Sequence, residues 1–178
     1  VKKRNALTPA IDYLIMLPMA ISGTVLGIGL VVTFNTGWLA MTGTAAIIVV
    51  AYVVRRLPFG VRNASSTLYN IPNSIEEASI SLGVPRLASF CKVILPLMAP
   101  AIGAAAVLTW TTTVSELSAS VVVYSAGRET TPIQIFRLID TGLNGRASAY
   151  GLALVVMILV PIFIAVKIFK IELFAAKG

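Results

Sequence analysis

Long apolar runs separated by short polar breaks dominate this chain. Four of them approach the roughly 20 residues that a helix needs to cross a bilayer. The first covers residues 14–34 and carries no charge. The second, 38–54, is shorter, with Trp38 at one edge and Arg55-Arg56 just past the other. The third, 97–124, contains a single charge, Glu116, and the fourth, 147–166, contains Pro161. None of the four alternates apolar and polar residues with the period of two that a barrel strand requires. A helix satisfies its own backbone groups in lipid, so the pattern predicts helices. The first run is too long for the apolar core of a secretory leader, and no small-residue cleavage site follows it. The expected fold class is an all-α integral membrane protein with about four transmembrane helices.

The polar breaks carry patterns of their own. Between 72 and 96 the chain reads as two short helices around a glycine. Ser74-Ile75-Glu76-Glu77 has the spacing of a capping box, with Glu77 able to reach back to the Ser74 backbone. Glu76 and Glu77 also suit the positive end of a helix dipole. Gly83 suits a helix C-terminus that needs positive φ, and Pro85 suits the first turn of the next helix. That second helix is expected to reach about Ile94, with Pro96 ending it or kinking it into the third span. A further break, around Thr131-Pro132-Ile133-Gln134-Ile135-Phe136, predicts a short interfacial helix on the other side of the bilayer, with Ile135, Leu138 and Ile139 on one face.

Composition agrees with a membrane setting. Of 178 residues, 57% are hydrophobic and 12% charged, about half the charged share of an ordinary soluble domain. Mean hydropathy is +0.91. There is no His and one Cys, Cys91. That excludes an internal disulfide framework and His- or Cys-cluster metal sites. It also excludes a His-dependent intramembrane protease. The net charge is +7, and its distribution bears on topology. Four spans put both termini and the 55–92 segment on one side. Those regions hold Lys2, Lys3, Arg4, Arg55, Arg56, Arg62, Arg86, Lys92, Lys167, Lys170 and Lys177. The other side holds Arg128, Arg137 and Arg146. The bias predicts cytoplasmic termini and a cytoplasmic middle segment, with contacts to anionic membrane lipid. The cations are scattered and lack interleaved aromatics, so no nucleic-acid partner is expected.

Two features carry candidate chemistry inside the spans. Thr109, Thr112, Thr113, Glu116 and Ser120 fall on one face at helical spacing. They would line a translocation path, with the carboxylate facing the bundle interior or water rather than lipid. The alternative is that Glu116 is protonated or pairs with a neighbouring helix while the hydroxyls bond back to their own helix. Gly23 and Gly27, four residues apart, suit close helix packing.

The middle segment resembles a known motif. Glu77-Ala78-Ser79, Gly83 after three residues, Val93 after nine more, then Leu95-Pro96 is similar to the EAA loop of binding-protein-dependent ABC transporter permeases. Ser79 stands for the motif's second Ala and Val93 for its Ile. Leu57-Pro58-Phe59-Gly60-Val61-Arg62 also resembles that family, as does Leu17-Pro18 with Gly23-Thr24-Val25-Leu26-Gly27-Ile28-Gly29. Glu116-Leu117-Ser118-Ala119 and Arg146-Ala147-Ser148-Ala149-Tyr150-Gly151 look most like its ferric-iron members. The resemblance implies a bacterial inner-membrane transport subunit rather than an enzyme. Glu77, Ala78, Gly83, Leu95 and Pro96 would form the coupling loop that docks on a separate ATPase. ATP and Mg would be bound by that partner, with no cofactor in this chain. A substrate-binding protein outside the membrane and a second permease domain or copy would complete the assembly. Ferric iron is the substrate implied, with sulfate, thiamine, a polyamine or a phosphonate as alternatives. Family domains carry about six spans, so the resemblance also implies a single permease domain, 1–178, that is a C-terminal piece lacking its first spans. The competing reading is a secondary transporter that uses Glu116 as a proton or cation site.

Overall fold

The structure is a computed structural model, and it describes residues 8–169. Lys2, Lys3, Arg4, Lys170 and Lys177 lie outside the described residues. Every regular element among those described is helical. In chain order these are α1 (Thr8–Ala20), α2 (Gly23–Thr33), α3 (Ala45–Asn70), α4 (Asn73–Ser81), α5 (Arg86–Ser89), a π-helical turn (Phe90–Ile94), α6 (Leu95–Val114), α7 (Ser120–Val123), α8 (Thr131–Asp140) and α9 (Asn144–Phe169). The long helices α3, α6 and α9 pack side by side, with α6 in the middle. Helix α2 and the short α7 close one end against α3, and α8 lies along α9.

The expected first span, 14–34, is two helices bent by 105°. The cause is local: Ser22 is an N-cap whose hydroxyl accepts from the Val25 N–H at 3.3 Å, so a new helix starts inside the apolar run. The expected second span begins later than Trp38. Residues 34–44 form a connector in which Gly37 and Gly43 have positive φ, and the helix starts at Ala45. It then runs past Arg55-Arg56 and through Pro58 to Asn70. Among the described residues two helices are long and apolar enough to cross a membrane, Arg86–Val114 and Asn144–Lys167. A third span results if the bent α1–α2 pair counts as one. The count of about four drops because α3 carries Arg55, Arg56 and Arg62 within its length.

The third span also departs from expectation. Helix α6 ends at Val114 rather than near Tyr124, and the chain turns through 115–119 before α7. At the other end, α5, the π turn and α6 form one continuous helix from Arg86 to Val114. The helix therefore passes through Ile94 and Pro96, where an end or kink was expected. Pro96 lacks an N–H and its ring crowds the carbonyl four residues back, that of Lys92. The wider π turn sits at that place and gives the carbonyl room, with Leu95 N–H bonding to Phe90 O.

The most buried apolar cluster joins Ile47, Ile48 and Ala51 of α3 to Val123 of α7, with Leu30, Val31, Met41 and Tyr52 packed around it. Gly23 and Gly27 of α2 face 118–122. A Cβ on Gly23 would lie 2.9 Å from Ser118 Cβ and 3.0 Å from the Ala119 backbone N. One on Gly27 would lie 3.0 Å from Val122 Cβ. The paired glycines thus serve helix packing. In α8 the buried side chains are Pro132 and Ile133, whereas Ile139 on the expected face is exposed. The helix packs along α9, and its most buried residues lie in its first turn, which a reading of Ile135, Leu138 and Ile139 alone does not anticipate.

Candidate functional site

Two regions concentrate the chemistry-bearing residues. The first is the knob of 72–96. Its helix α4 begins at Asn73 with Pro72 at the N-cap position, so Ser74 lies inside the first turn. The capping box expected from Ser74 and Glu77 therefore does not form. Pro72 sets the start through its fixed φ instead. The C-terminus follows expectation closely. Gly83 has φ +83°, its N–H bonds to Ile80 O at 2.9 Å, and the Val84 N–H bonds to Ser79 O at 3.3 Å. These two bonds form a Schellman motif, which needs a left-handed residue at the glycine position. Pro85 stands at the N-cap position of α5.

Helix α4 packs against α5 and the π turn through small side chains. Ser79 and Ser89 are both buried, Ser89 completely. The Ser89 hydroxyl has no hydrogen-bond partner. Ser79, which stands where the resembled motif has its second Ala, is thus a small and buried residue. Glu77, Ala78, Gly83, Leu95 and Pro96 are all exposed. So are large apolar side chains beside them: Leu82 at 85% and Leu87 at 76%. The knob holds a rigid backbone and presents an apolar, uncovered surface.

The second region is the elbow at 115–119, where the structure separates the five residues of the expected path stripe. Thr109 and Thr113 border a cavity of about 450 Å³ between α3 and α6, together with Asn63, Ala105, Ala106 and Trp110. Thr112 is exposed, and its hydroxyl bonds back to Leu108 O at 2.9 Å. Thr113 likewise bonds back to Thr109 O at 2.6 Å. Glu116 and Ser120 turn away from the stripe toward α3, because helical periodicity stops at Val114.

Glu116 is 7% exposed. Its Oε2 accepts from Arg55 Nε and from Arg56 Nη2, each at 2.9 Å. Its Oε1 faces the Ala119 N–H at 3.4 Å. Arg56 Nη2 also donates to Thr112 O, a carbonyl left over at the end of α6. The Ser120 hydroxyl donates to Glu116 O at 2.8 Å, so the Tyr52 hydroxyl is the donor in the adjoining Tyr52–Ser120 bond. Arg55 and Arg56 were expected among the topological cations of the middle segment. They are instead one turn beyond Tyr52 on α3, and they neutralise the carboxylate. Neither they nor Tyr52 emerged as site residues from the sequence. The available signal was the lone intramembrane carboxylate itself, which requires a cationic partner.

On the far side of α7, Glu129 pairs with Arg137. The backbone N–H groups of Glu129 and Gly127 hold this carboxyl below its usual range, and Arg137 adds to the effect. Arg128 and Arg146 are exposed. Among the described residues no group of three or more His, Cys, Asp or Glu side chains is placed to hold a metal.

With this geometry established, similarity to known proteins becomes informative. The family model "Binding-protein-dependent transport system inner membrane component" matches residues 1–171. The ferric transport system permease protein FbpB of Actinobacillus pleuropneumoniae is 33% identical over 149 residues, covering 84% of this chain and 22% of that protein. The putative 2-aminoethylphosphonate transport system permease protein PhnV of Salmonella paratyphi A is 35% identical over 143 residues, 80% of this chain and 54% of that one. The sulfate transport system permease protein CysT of Escherichia coli is 35% identical over 141 residues, 71% and 50% respectively. The chain therefore spans between about a fifth and about half of these relatives. A crystal structure of a bacterial ABC transporter that imports the acidic polysaccharide alginate superposes with a TM-score of 0.75. It covers 93% of this chain and 68% of that one at 17% identity, which speaks to the fold alone.

Proposed function

This chain belongs to the family of binding-protein-dependent transport system inner-membrane components, and from that membership we propose that it is a permease subunit of an ATP-driven importer. The knob of 72–96 docks on a separate ATPase subunit. The observation that carries this reading is the knob's construction. A Schellman-locked Gly83 fixes the angle between two helices, while Leu82 and Leu87 stand exposed beside Glu77 and Ala78. A docking element must transmit displacement without bending, and it needs apolar surface for a partner to cover. The continuous helix from Arg86 to Val114 then carries movement of the knob into the bundle. ATP binding in the partner moves the knob, α6 moves with it, and the path between inward and outward faces alternates. Hydrolysis resets the assembly. ATP and Mg belong to the partner in this scheme.

Glu116 fits a structural tie better than a coupling-ion site. Both of its oxygens have donors, and two guanidiniums are committed to it. A carrier that binds and releases a proton or cation needs a carboxylate it can free. Thr109 and Thr113 of the path stripe border the cavity between α3 and α6, whose walls are largely apolar, and the Thr113 hydroxyl is committed to Thr109 O. With Arg55 and Arg56 withdrawn into the bundle, nine cations remain in the termini and the middle segment against three on the other side. With Arg86–Val114 and Asn144–Lys167 as the two crossings, that imbalance supports cytoplasmic termini in a bacterial inner membrane.

For the substrate we propose ferric iron, delivered by an external binding protein. The support is the 33% identity to a ferric permease across 84% of this chain. The path would pass the cargo rather than hold it, since the described residues offer no ligand cluster. The test is reconstitution in liposomes with the companion ATPase and binding protein. Radiolabelled iron, 2-aminoethylphosphonate and sulfate are offered separately, and Gly83→Asp serves as the control. ATP-dependent iron uptake that disappears in Gly83→Asp, together with loss of ATPase co-purification, is the expected result. Uptake of the phosphonate or sulfate instead would replace the substrate and keep the mechanism. An ATPase that binds Gly83→Asp as well as wild type would overturn the coupling role.

A further inference from the structure

The last long helix contains a proline in its interior. Pro161 has no N–H, so the carbonyl four residues back, that of Met157, has no helical donor. In a lipid setting water cannot supply one. The structure supplies it from another helix: the indole Nε1–H of Trp110 on α6 donates to Met157 O at 3.0 Å. The one carbonyl that Pro161 orphans is therefore the one that Trp110 reaches.

The surroundings of the indole leave it room to let go. Trp110 borders two cavities at once, with Ala106 shared between them. One is the space of about 450 Å³ toward α3, where Gly60 and Ala64 face it. The other, about 330 Å³, lies toward α9 and is bounded by Gly103, Val107, Pro161 and Ala165. The second cavity thus lies directly at the proline, and the α6 residues facing it include Gly103 and Ala106. A change in the angle of α9 at Pro161 meets only Val107 and Trp110 as larger side chains there, and the ring can swing toward either cavity.

We infer that Trp110 is the latch of a hinge in α9. While the indole holds Met157 O, the angle of α9 at Pro161 is fixed and α9 moves as one body with α6. When α6 is displaced, the bond releases, the carbonyl loses its donor, and the segment after Pro161 changes its angle to α6. Trp110 is a positioning residue in this scheme, acting through the α9 backbone rather than on any solute. The inference rests on the reading that ATP drives movement of α6.

The chain contains two tryptophans, Trp38 and Trp110, and Trp38 is 95% exposed in the 34–44 connector. Trp38→Phe therefore leaves Trp110 as the one tryptophan of these 178 residues, and incorporating 5-hydroxytryptophan into this chain before assembly with unlabelled partners lets its emission be excited apart from theirs. The experiment uses the complete importer in lipid nanodiscs, this chain with its ATPase and binding protein, and records Trp110 emission without nucleotide and after trapping with ATP and vanadate. Vanadate-sensitive ATP hydrolysis is measured in the same preparation. A state-dependent shift of the Trp110 emission maximum is expected. Trp110→Phe keeps the ring and removes the donor. It should change the ratio of solute imported to ATP hydrolysed, on the order of threefold to tenfold, the equivalent of one net hydrogen bond. In a Pro161→Ala background, where an N–H returns to the helix, Trp110→Phe should have no further effect. Hydrolysis without any change in Trp110 emission would overturn the latch, as would additive effects of the two substitutions. Absence of hydrolysis in the wild-type complex would overturn the ATP-driven reading itself.

Discussion

Glu77 and Glu116 are both carboxylates beside a helix break, yet they occupy opposite situations. Glu77 stands exposed on a knob whose shape is fixed by bonds between near neighbours, such as Val84 N–H to Ser79 O. Glu116 is 7% exposed in an elbow whose shape is fixed by residues about 60 positions away, Arg55 and Arg56. The knob leaves Leu82 and Leu87 exposed while the small Ser79 and Ser89 are buried. The elbow buries Glu116 and Ala119 while Ser115, Leu117 and Ser118 stay exposed; it ties the end of α6 to the middle of α3. Within one chain, the exposed knob is built locally, and the part that holds the bundle together is built across the sequence.

This contrast breaks most readily at the elbow. Glu116→Ala leaves two partly buried guanidiniums without their counter-charge. Removing one partner of a buried pair typically costs about 3–5 kcal/mol, so a large drop in the unfolding midpoint in mild detergent is expected. A midpoint within error of wild type would show that solvent reaches the arginines freely. The packing that presses α2 onto the same elbow gives the next effect. Gly23→Ala places a Cβ 2.9 Å from Ser118 Cβ, an overpacking cost of about 1–3 kcal/mol. Gly29→Ala is the matched control in the same helix. Nothing lies within 4 Å of its added Cβ, so helix propensity should raise stability by up to about 1 kcal/mol. If the two variants behave alike, the close approach of α2 to the elbow is refuted.

The knob predicts a change of opposite sign. Ser89 is fully buried with an unpartnered hydroxyl, so Ser89→Ala should stabilise by about 1 kcal/mol and leave ATPase binding unchanged. Destabilisation would mean that the hydroxyl has a partner in the membrane. The smallest effect is expected at the exposed ion pair, Glu129–Arg137. The folded-state pKa of Glu129 is depressed by the N–H groups of Glu129 and Gly127 and then by Arg137. Its contribution is therefore present above the ordinary carboxylate pKa and is lost as pH falls through the depressed folded value. Subtracting the acid unfolding profile of Glu129→Gln from that of wild type should isolate this loss. A difference that grows toward acid pH would contradict the sign.

Several features were legible in the sequence because their causes are short-range. Gly83, followed by Val84 and Pro85, specifies a helix stop and a new start within three residues, and the left-handed backbone at Gly83 follows from that alone. The apolar run of 147–166 predicts α9 because length and hydropathy suffice. The break at Ser22-Gly23 was equally local, an N-cap hidden in an apolar stretch, and the capping preference of serine was the signal for it. The resemblance of the middle segment to permeases rested on fixed spacing over about twenty residues, and family membership follows over nearly the whole chain.

The rest required tertiary structure. Periodicity places Thr109, Thr112, Thr113, Glu116 and Ser120 on one face only if the helix continues; it stops at Val114, and α3 then meets Glu116 with two cations and Ser120 with a tyrosine. Arg55-Arg56 after an apolar run reads as a membrane boundary, since a charge in isolation belongs in water. A carboxylate on another helix reverses that preference, and no window of local sequence contains both partners. The same holds for Pro161, whose orphaned carbonyl is visible in the sequence while its donor, Trp110, is about 50 residues earlier. The chain by itself determined which segments are helical and apolar, which glycine turns the knob, and which groups would lack partners. Only the packed structure decided which groups meet, because desolvated charges and backbone carbonyls select partners by proximity in space.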